Sequence, residues 1–182
     1  VETPTFMPVG TQGSVKTLTP DEVAATGAKI VLGNTYHLWL RPGPEVVALH
    51  GGLHGFTRWP HSMLTDSGGF QAFSLAERRT SGEDGFVFRS HLDGSRRVLT
   101  PEVAMQVQGG LGADIAMQLD VCPPGESEKR VVEEALARTT RWAACRALTW
   151  PSSWPSRAAS SASLSSSTRM PRVTPIAPPG KV

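Results

Sequence analysis

Apolar and polar positions run in short blocks along the first 146 residues, and the blocks switch between a strand period and a helix period. Thr5-Phe6-Met7-Pro8-Val9 is an apolar run ending at Gly10 and predicts a first strand. Thr19-Pro20-Asp21-Glu22 predicts a helix start: Thr19 can cap, Pro20 suits the first helical position, and Glu22 completes a capping box. That helix is expected to run through Val23-Ala24-Ala25 to Gly27. Lys29-Ile30-Val31-Leu32 then predicts a buried strand, with Gly33-Asn34-Thr35-Tyr36-His37 as the loop beyond it. Ser62-Met63-Leu64-Thr65 predicts a third strand, ending at Asp66-Ser67-Gly68-Gly69. Phe86–Leu92 and Arg97–Leu99 flank Asp93-Gly94, a hairpin turn signal. Thr100-Pro101-Glu102 opens a second helix, expected to stop at Gly109-Gly110, and Asp114–Leu119 follows as a strand ending at Asp120. A last helix is expected over 127–146, with Val131, Ala135, Leu136, Thr139 and Trp142 at roughly 3.6-residue spacing.

Repeated helix–Gly–strand units predict a parallel α/β fold with a β-hairpin inserted in it. In such folds reactive groups collect at the carboxyl ends of the strands. Three of the expected strand ends carry polar clusters: Asn34-Thr35-Tyr36-His37, Asp66-Ser67-Gly68-Gly69-Phe70-Gln71, and Asp120-Val121-Cys122. In one sheet they would converge on one rim, and the chemistry is expected there.

Composition narrows the class. The chain has 182 residues, 39% hydrophobic and 19% charged, which suits one soluble globular domain. Its two cysteines, Cys122 and Cys145, exclude a disulfide scaffold and a cysteine-rich zinc module within these residues. No apolar run approaches the ~18 residues of a membrane span. Val1-Glu2-Thr3-Pro4 carries neither an initiator Met nor a signal pattern, so the chain is expected to be cytoplasmic and to start inside a longer protein. The formal charge of +2 hides a split. Up to Glu134 there are sixteen acidic and eleven basic residues, and from Ala135 onward seven basic and no acidic ones. Between Pro151 and Val182, nine residues are Ser and six are Pro. Such a segment buries too little to offset its ordering entropy, so residues 1–146 are expected to fold and 147–182 to be a disordered tail.

Candidate chemistry centres on two carboxylates. Asp66, followed by Ser67, Gly68 and Gly69, would let a flat or anionic ligand approach bare backbone N–H groups, and Phe70 could stack on a planar ring. The plainer alternative is a strand-to-helix turn in which Asp66 caps the next helix. Asp120 ends an apolar run; an ionised carboxylate accepts two parallel N–H bonds, which is what the amidine edge of guanine offers. A buried cap or an ion pair to Arg would also place an Asp there. His37 is a possible acid–base group or a satisfied rim histidine. His50, His54 and His61 suggest metal spacing, but His50-Gly51-Gly52-Leu53-His54 is too Gly-rich for a helix presenting an i, i+4 pair and is read as a structural loop. Cys122 is read as a small rim residue, and Ser95-Arg96-Arg97 as a solvated hairpin end or a phosphate contact.

The motifs themselves are more specific. Gly33-Asn34-Thr35-Tyr36-His37-Leu38, Arg41-Pro42-Gly43, Leu64-Thr65-Asp66-Ser67-Gly68-Gly69-Phe70-Gln71 and Ser90-His91-Leu92-Asp93-Gly94-Ser95 resemble the tRNA-guanine transglycosylase (queuine tRNA-ribosyltransferase) family in its bacterial form. Thr3–Thr11 is similar to that family's start, and the resemblance runs in order over residues 1–146. It implies the N-terminal part of a (β/α)₈ TIM-type barrel and exchange of guanine at the wobble position of certain tRNAs for a 7-deazaguanine base. It implies Asp66 as catalytic acid/base, with Ser67, Gly68 and Gly69 in the base pocket, Phe70 stacking on the base and Asp120 reading its guanine-like edge. It also implies tRNA and the free guanine or 7-deazaguanine base as partners, a homodimer, and zinc in the full-length family. The zinc ligands are not in this chain. Nor is the Asp-Cys-Val-x-Pro-Thr-Arg motif that carries the family's attacking aspartate. Matching sequence fades at Arg141-Trp142-Ala143-Ala144, and the residues beyond look like an out-of-frame translation or the end of a truncated relative. The chain is therefore expected to be inactive alone, with a non-catalytic tRNA-binding or partner-subunit remnant as the alternative.

Overall fold

A computed structural model describes residues 1–75 and 79–149. Residues 150–182, which hold most of the expected tail, lie outside them. The N-terminal apolar run yields a strand of only two residues, β1 (Val9–Gly10). Pro4 and Pro8 have no N–H for a ladder, although the Pro8 carbonyl accepts from Leu32 N at 2.9 Å. α1 (Pro20–Ala25) carries the expected capping box: Thr19 Oγ1 accepts from Glu22 N at 3.3 Å, and Glu22 Oε2 accepts from Thr19 N at 2.7 Å. β2 (Ile30–Gly33) lies one residue further along than the pattern suggested.

The expected loop after β2 is instead a helix, α2 (Thr35–Leu40). Asn34 Oδ1 caps it by accepting from His37 N at 3.2 Å, while Tyr36 and Leu38 bury completely. α3 (Pro44–Leu49) and α4 (Gly52–Thr57) follow, so the segment read as a structural loop around His54 is also helical. Gly51 in the left-handed conformation, at φ 82°, separates the two helices. β3 (Ser62–Thr65) agrees with its sequence pattern. α5 (Gly69–Ser74) comes next, then three antiparallel strands, β4 (Arg79–Gly82), β5 (Gly85–Arg89) and β6 (Arg96–Leu99).

α6 (Pro101–Leu111) runs straight through Gly109-Gly110 and stops at Gly112, whose φ is 70°. The pair does not end the helix, and Gly110 serves packing: a Cβ on it would lie 2.9 Å from Pro44 Cβ, so its absence lets α3 approach α6 closely. β7 (Ile115–Ala116) is a fragment of the strand expected over 114–119. α7 (Lys129–Thr149) ends three residues beyond its expected limit. Of its expected core stripe, Ala135 and Trp142 are buried while Val131 and Leu136 are exposed. The helix is anchored at discrete points instead: Thr139 Oγ1 accepts from Val121 N at 3.0 Å, and Trp142 Nε1 donates to the Glu83 carbonyl at 2.7 Å.

β1, β2, β3 and β7 form a parallel sheet in that order, with Leu32 opposite Leu64 and Thr65 opposite Ala116. One core cluster, including Val31, Leu38, Leu53, Met63 and Leu111, joins the sheet to α2, α4 and α6. A second gathers Tyr36, Phe86, Phe88, Leu99, Leu119 and Trp142, seating the antiparallel sheet against α2 and α7. The carboxyl ends of β2 and β3 and the chain beyond β7 therefore meet on one side. Among the described residues no helix is long and apolar enough to cross a membrane.

Candidate active site

Asp66 directly follows β3, and its carboxylate turns toward the start of α2. Oδ1 accepts from Thr35 N at 2.8 Å and Oδ2 from Asn34 Nδ2 at 2.7 Å. Asn34 thus serves twice, its oxygen capping α2 and its amide nitrogen holding Asp66. Thr35 Oγ1 donates in turn to the Asp66 carbonyl. Asp66 does not cap the helix after it: the N-cap of α5 is Gly68, with no side-chain cap.

Burial raises the Asp66 pKa above its ordinary value, and the negative charge of Asp120 adds to the rise. The N–H groups of Thr35 and Gly68 and the side chain of Gln71 oppose it. A carboxyl raised in this way is closer to taking and returning a proton near neutral pH than an exposed one.

Ser67 links the two acids. Its hydroxyl donates to Asp120 Oδ1 at 2.9 Å and accepts from Gly69 N at 3.1 Å. The glycines around it permit close approach on two sides. A Cβ on Gly68, at φ 77°, would lie 3.2 Å from Tyr36 N, and one on Gly69 would lie 3.0 Å from the Asp120 carbonyl. Asp120 also accepts from Cys122 Sγ at 3.0 Å, a bond that, with burial, pushes the thiol up to about 11 and leaves it a weak nucleophile. Phe70, 58% exposed, stands at the first turn of α5 with its ring open to a ligand. The structure therefore brings together Asp66, Ser67, Gly68, Gly69, Phe70 and Asp120, the residues singled out in the sequence. Asn34 and Thr35, which hold the Asp66 carboxylate, complete the setting without having been singled out individually.

The histidines divide. Tyr36 OH and His91 Nδ1 are 2.9 Å apart, and the His37 ring packs edge-on against both Tyr36 and His91. Burial, and then the nearby His91, lower the His37 pKa and so favour its neutral form. His50, His54 and His61 are not gathered: His50 bonds the Val46 carbonyl, His54 lies 3.1 Å from Asp114, and His61 packs on Trp59. Among the described residues no group of three or more His, Cys, Asp or Glu could hold a metal ion, so the zinc implied by the resemblance finds no ligand set in them.

A family model described as queuine tRNA-ribosyltransferase matches residues 1–161. A queuine tRNA-ribosyltransferase of Sorangium cellulosum is 83% identical over 142 residues, covering 78% of this chain and 36% of that protein. One of Desulforamulus reducens is 59% identical over 143 residues, covering 79% of this chain and 39% of that protein. One of Desulforudis audaxviator is 57% identical over 152 residues, covering 84% and 41%. The chain spans 36–41% of the length of these relatives. With the family model matching residues 1–161 and these relatives 57–83% identical over 78–84% of its length, the chain belongs to the queuine tRNA-ribosyltransferase family.

Proposed function

We propose that this chain carries the base-recognising part of a tRNA-guanine transglycosylase, which replaces guanine at the wobble position of certain tRNAs with 7-aminomethyl-7-deazaguanine in queuosine biosynthesis. The observation that carries this reading is the Ser67 hydroxyl bond to Asp120, which fixes a second carboxylate beside the raised, partly buried Asp66. Asp120 accepts the ring N–H and exocyclic amine of a guanine-like edge as two parallel charge-assisted bonds. Asp66 moves a proton to the leaving base and from the entering one. Phe70 stacks on a base taken out of the tRNA strand. The four parallel strands, in chain order, form the first part of a (β/α)₈ barrel, and β4 to β6 are an insertion in it.

The folded unit takes in α7 to Thr149, three residues past the expected boundary at 146, and the Ser- and Pro-rich residues beyond it form the tail. The whole protein acts on tRNA in the cytoplasm as a homodimer, with zinc bound by parts of the family sequence that these residues do not include. With no Asp-Cys-Val-x-Pro-Thr-Arg motif to supply the attacking aspartate, the 182-residue chain binds the base and does not exchange it. Calorimetry with guanine, together with incorporation of labelled guanine into tRNA by the purified chain, tests both halves. Absence of guanine binding sinks the base-reading role, and robust incorporation sinks the claim of inactivity.

A further inference from the structure

Gln108 lies on α6 with its side chain fully buried, and the other buried residues of that helix are apolar. A buried amide is costly unless its hydrogen bonds are made, and this one makes all four that an amide commonly offers. Oε1 accepts from Thr65 Oγ1 at 2.9 Å and from Met117 N at 2.8 Å. Nε2 donates to the Met117 carbonyl at 2.8 Å and the Ala104 carbonyl at 3.2 Å. Thr65 is the residue before Asp66, and Met117 lies three residues before Asp120.

The ladder between β3 and β7 has only two paired positions, Leu64 with Ile115 and Thr65 with Ala116. Just beyond it, Met117 N donates both to the Thr65 carbonyl at 3.2 Å and to Gln108 Oε1, and the Gln108 amide alone takes the Met117 carbonyl, as the next residue of a neighbouring strand would. The short sheet is thereby extended, from a helix, toward the two carboxylates. We propose that Gln108 is a positioning residue that sets the placement of Asp66 relative to Asp120, acting through Thr65 and Met117. The inference rests on the base-reading role above. It adds a specificity determinant that does not itself touch the base.

The test compares the 182-residue chain with Gln108→Met, which keeps the volume and loses every bond, and with Val107→Ala. Val107 is a buried neighbour on α6 packed in the core, so its truncation weakens the fold without touching the clamp. Two quantities are measured besides melting temperature: the dissociation constant for guanine, and the titration of the Asp66 carboxyl by carbon NMR. Gln108→Met is expected to raise the dissociation constant about tenfold, the scale of one or two lost hydrogen bonds, and to move the Asp66 titration. Val107→Ala is expected to lower the melting temperature and leave both quantities as in the wild type. Gln108→Glu supplies the rescue, because a protonated carboxyl offers Met117 one donor and one acceptor. Its affinity relative to wild type should recover as pH falls. A Gln108→Met chain that melts early yet keeps wild-type affinity and Asp66 titration overturns the inference. If wild-type chain does not bind guanine, the base-reading role is overturned, and the Asp66 titration in Gln108→Met decides the clamp by itself.

Discussion

The Ser67 hydroxyl donates to Asp120 Oδ1 at 2.9 Å, joining residues 53 positions apart in the chain. The same oxygen accepts from Gly69 N, so one small side chain fixes both the turn into α5 and the second carboxylate. Ser67→Ala removes both bonds in a buried place and is expected to cost about 1–3 kcal/mol of stability. Denaturant unfolding measures it, and an unchanged midpoint would show that the loop holds without the hydroxyl.

Asp120→Asn replaces one acceptor oxygen with a donor nitrogen while keeping the shape. An amide cannot accept two N–H groups side by side, so guanine affinity is expected to fall by about 10- to 100-fold. Hypoxanthine lacks the exocyclic amine, and the wild type should bind it more weakly than guanine. In Asp120→Asn that preference should shrink. Calorimetry with both bases decides the matter, and equal discrimination in the two proteins would remove Asp120 from the reading.

The raised Asp66 pKa gives stability a defined pH dependence. Burial favours its protonated form in the folded state, so its contribution is present in full below the ordinary value of 3.8 and is lost as pH rises through the folded value. The stability of wild type minus that of Asp66→Asn should therefore fall across that window. Asp66→Asn also turns an amide nitrogen toward Asn34 Nδ2 or Thr35 N, two groups that donate, which lowers its stability at every pH without altering the slope. Unfolding curves at a series of pH values give the difference, and a flat difference contradicts the burial of this carboxyl.

Gly110→Ala places a methyl 2.9 Å from Pro44 Cβ, between two packed helices. Alanine is the better helix former, but the overpacking outweighs propensity, and a net loss of about 1–3 kcal/mol is expected. Gly125→Ala, with nothing within 4 Å of the added carbon, is the control and should be nearly neutral. Thermal melting of the two variants separates a packing glycine from a permissive one.

The sequence by itself determined the features whose causes are local. The capping box at Thr19 needs only residues 19–22, and the third strand over 62–65, with the polar turn after it, follows from a short apolar run and two glycines. The motif around Asp66 also places Asp66, Ser67, Gly68, Gly69 and Phe70 together as one contiguous run, whereas Asp120 joins them only through the fold. Only the tertiary structure decided the remainder, because there the deciding contact is remote in sequence. Asn34 to His37 looks like a loop until Asp66, 32 residues away, holds the Asn34 amide while its oxygen caps α2. Gly109-Gly110 looks like a helix stop until Pro44 packs against it. Gln108 gives no local signal, being one polar residue in a helical run, and its partners Met117 and Thr65 lie 9 and 43 residues away. A buried amide acquires its role only when the fold brings those groups within hydrogen-bonding distance.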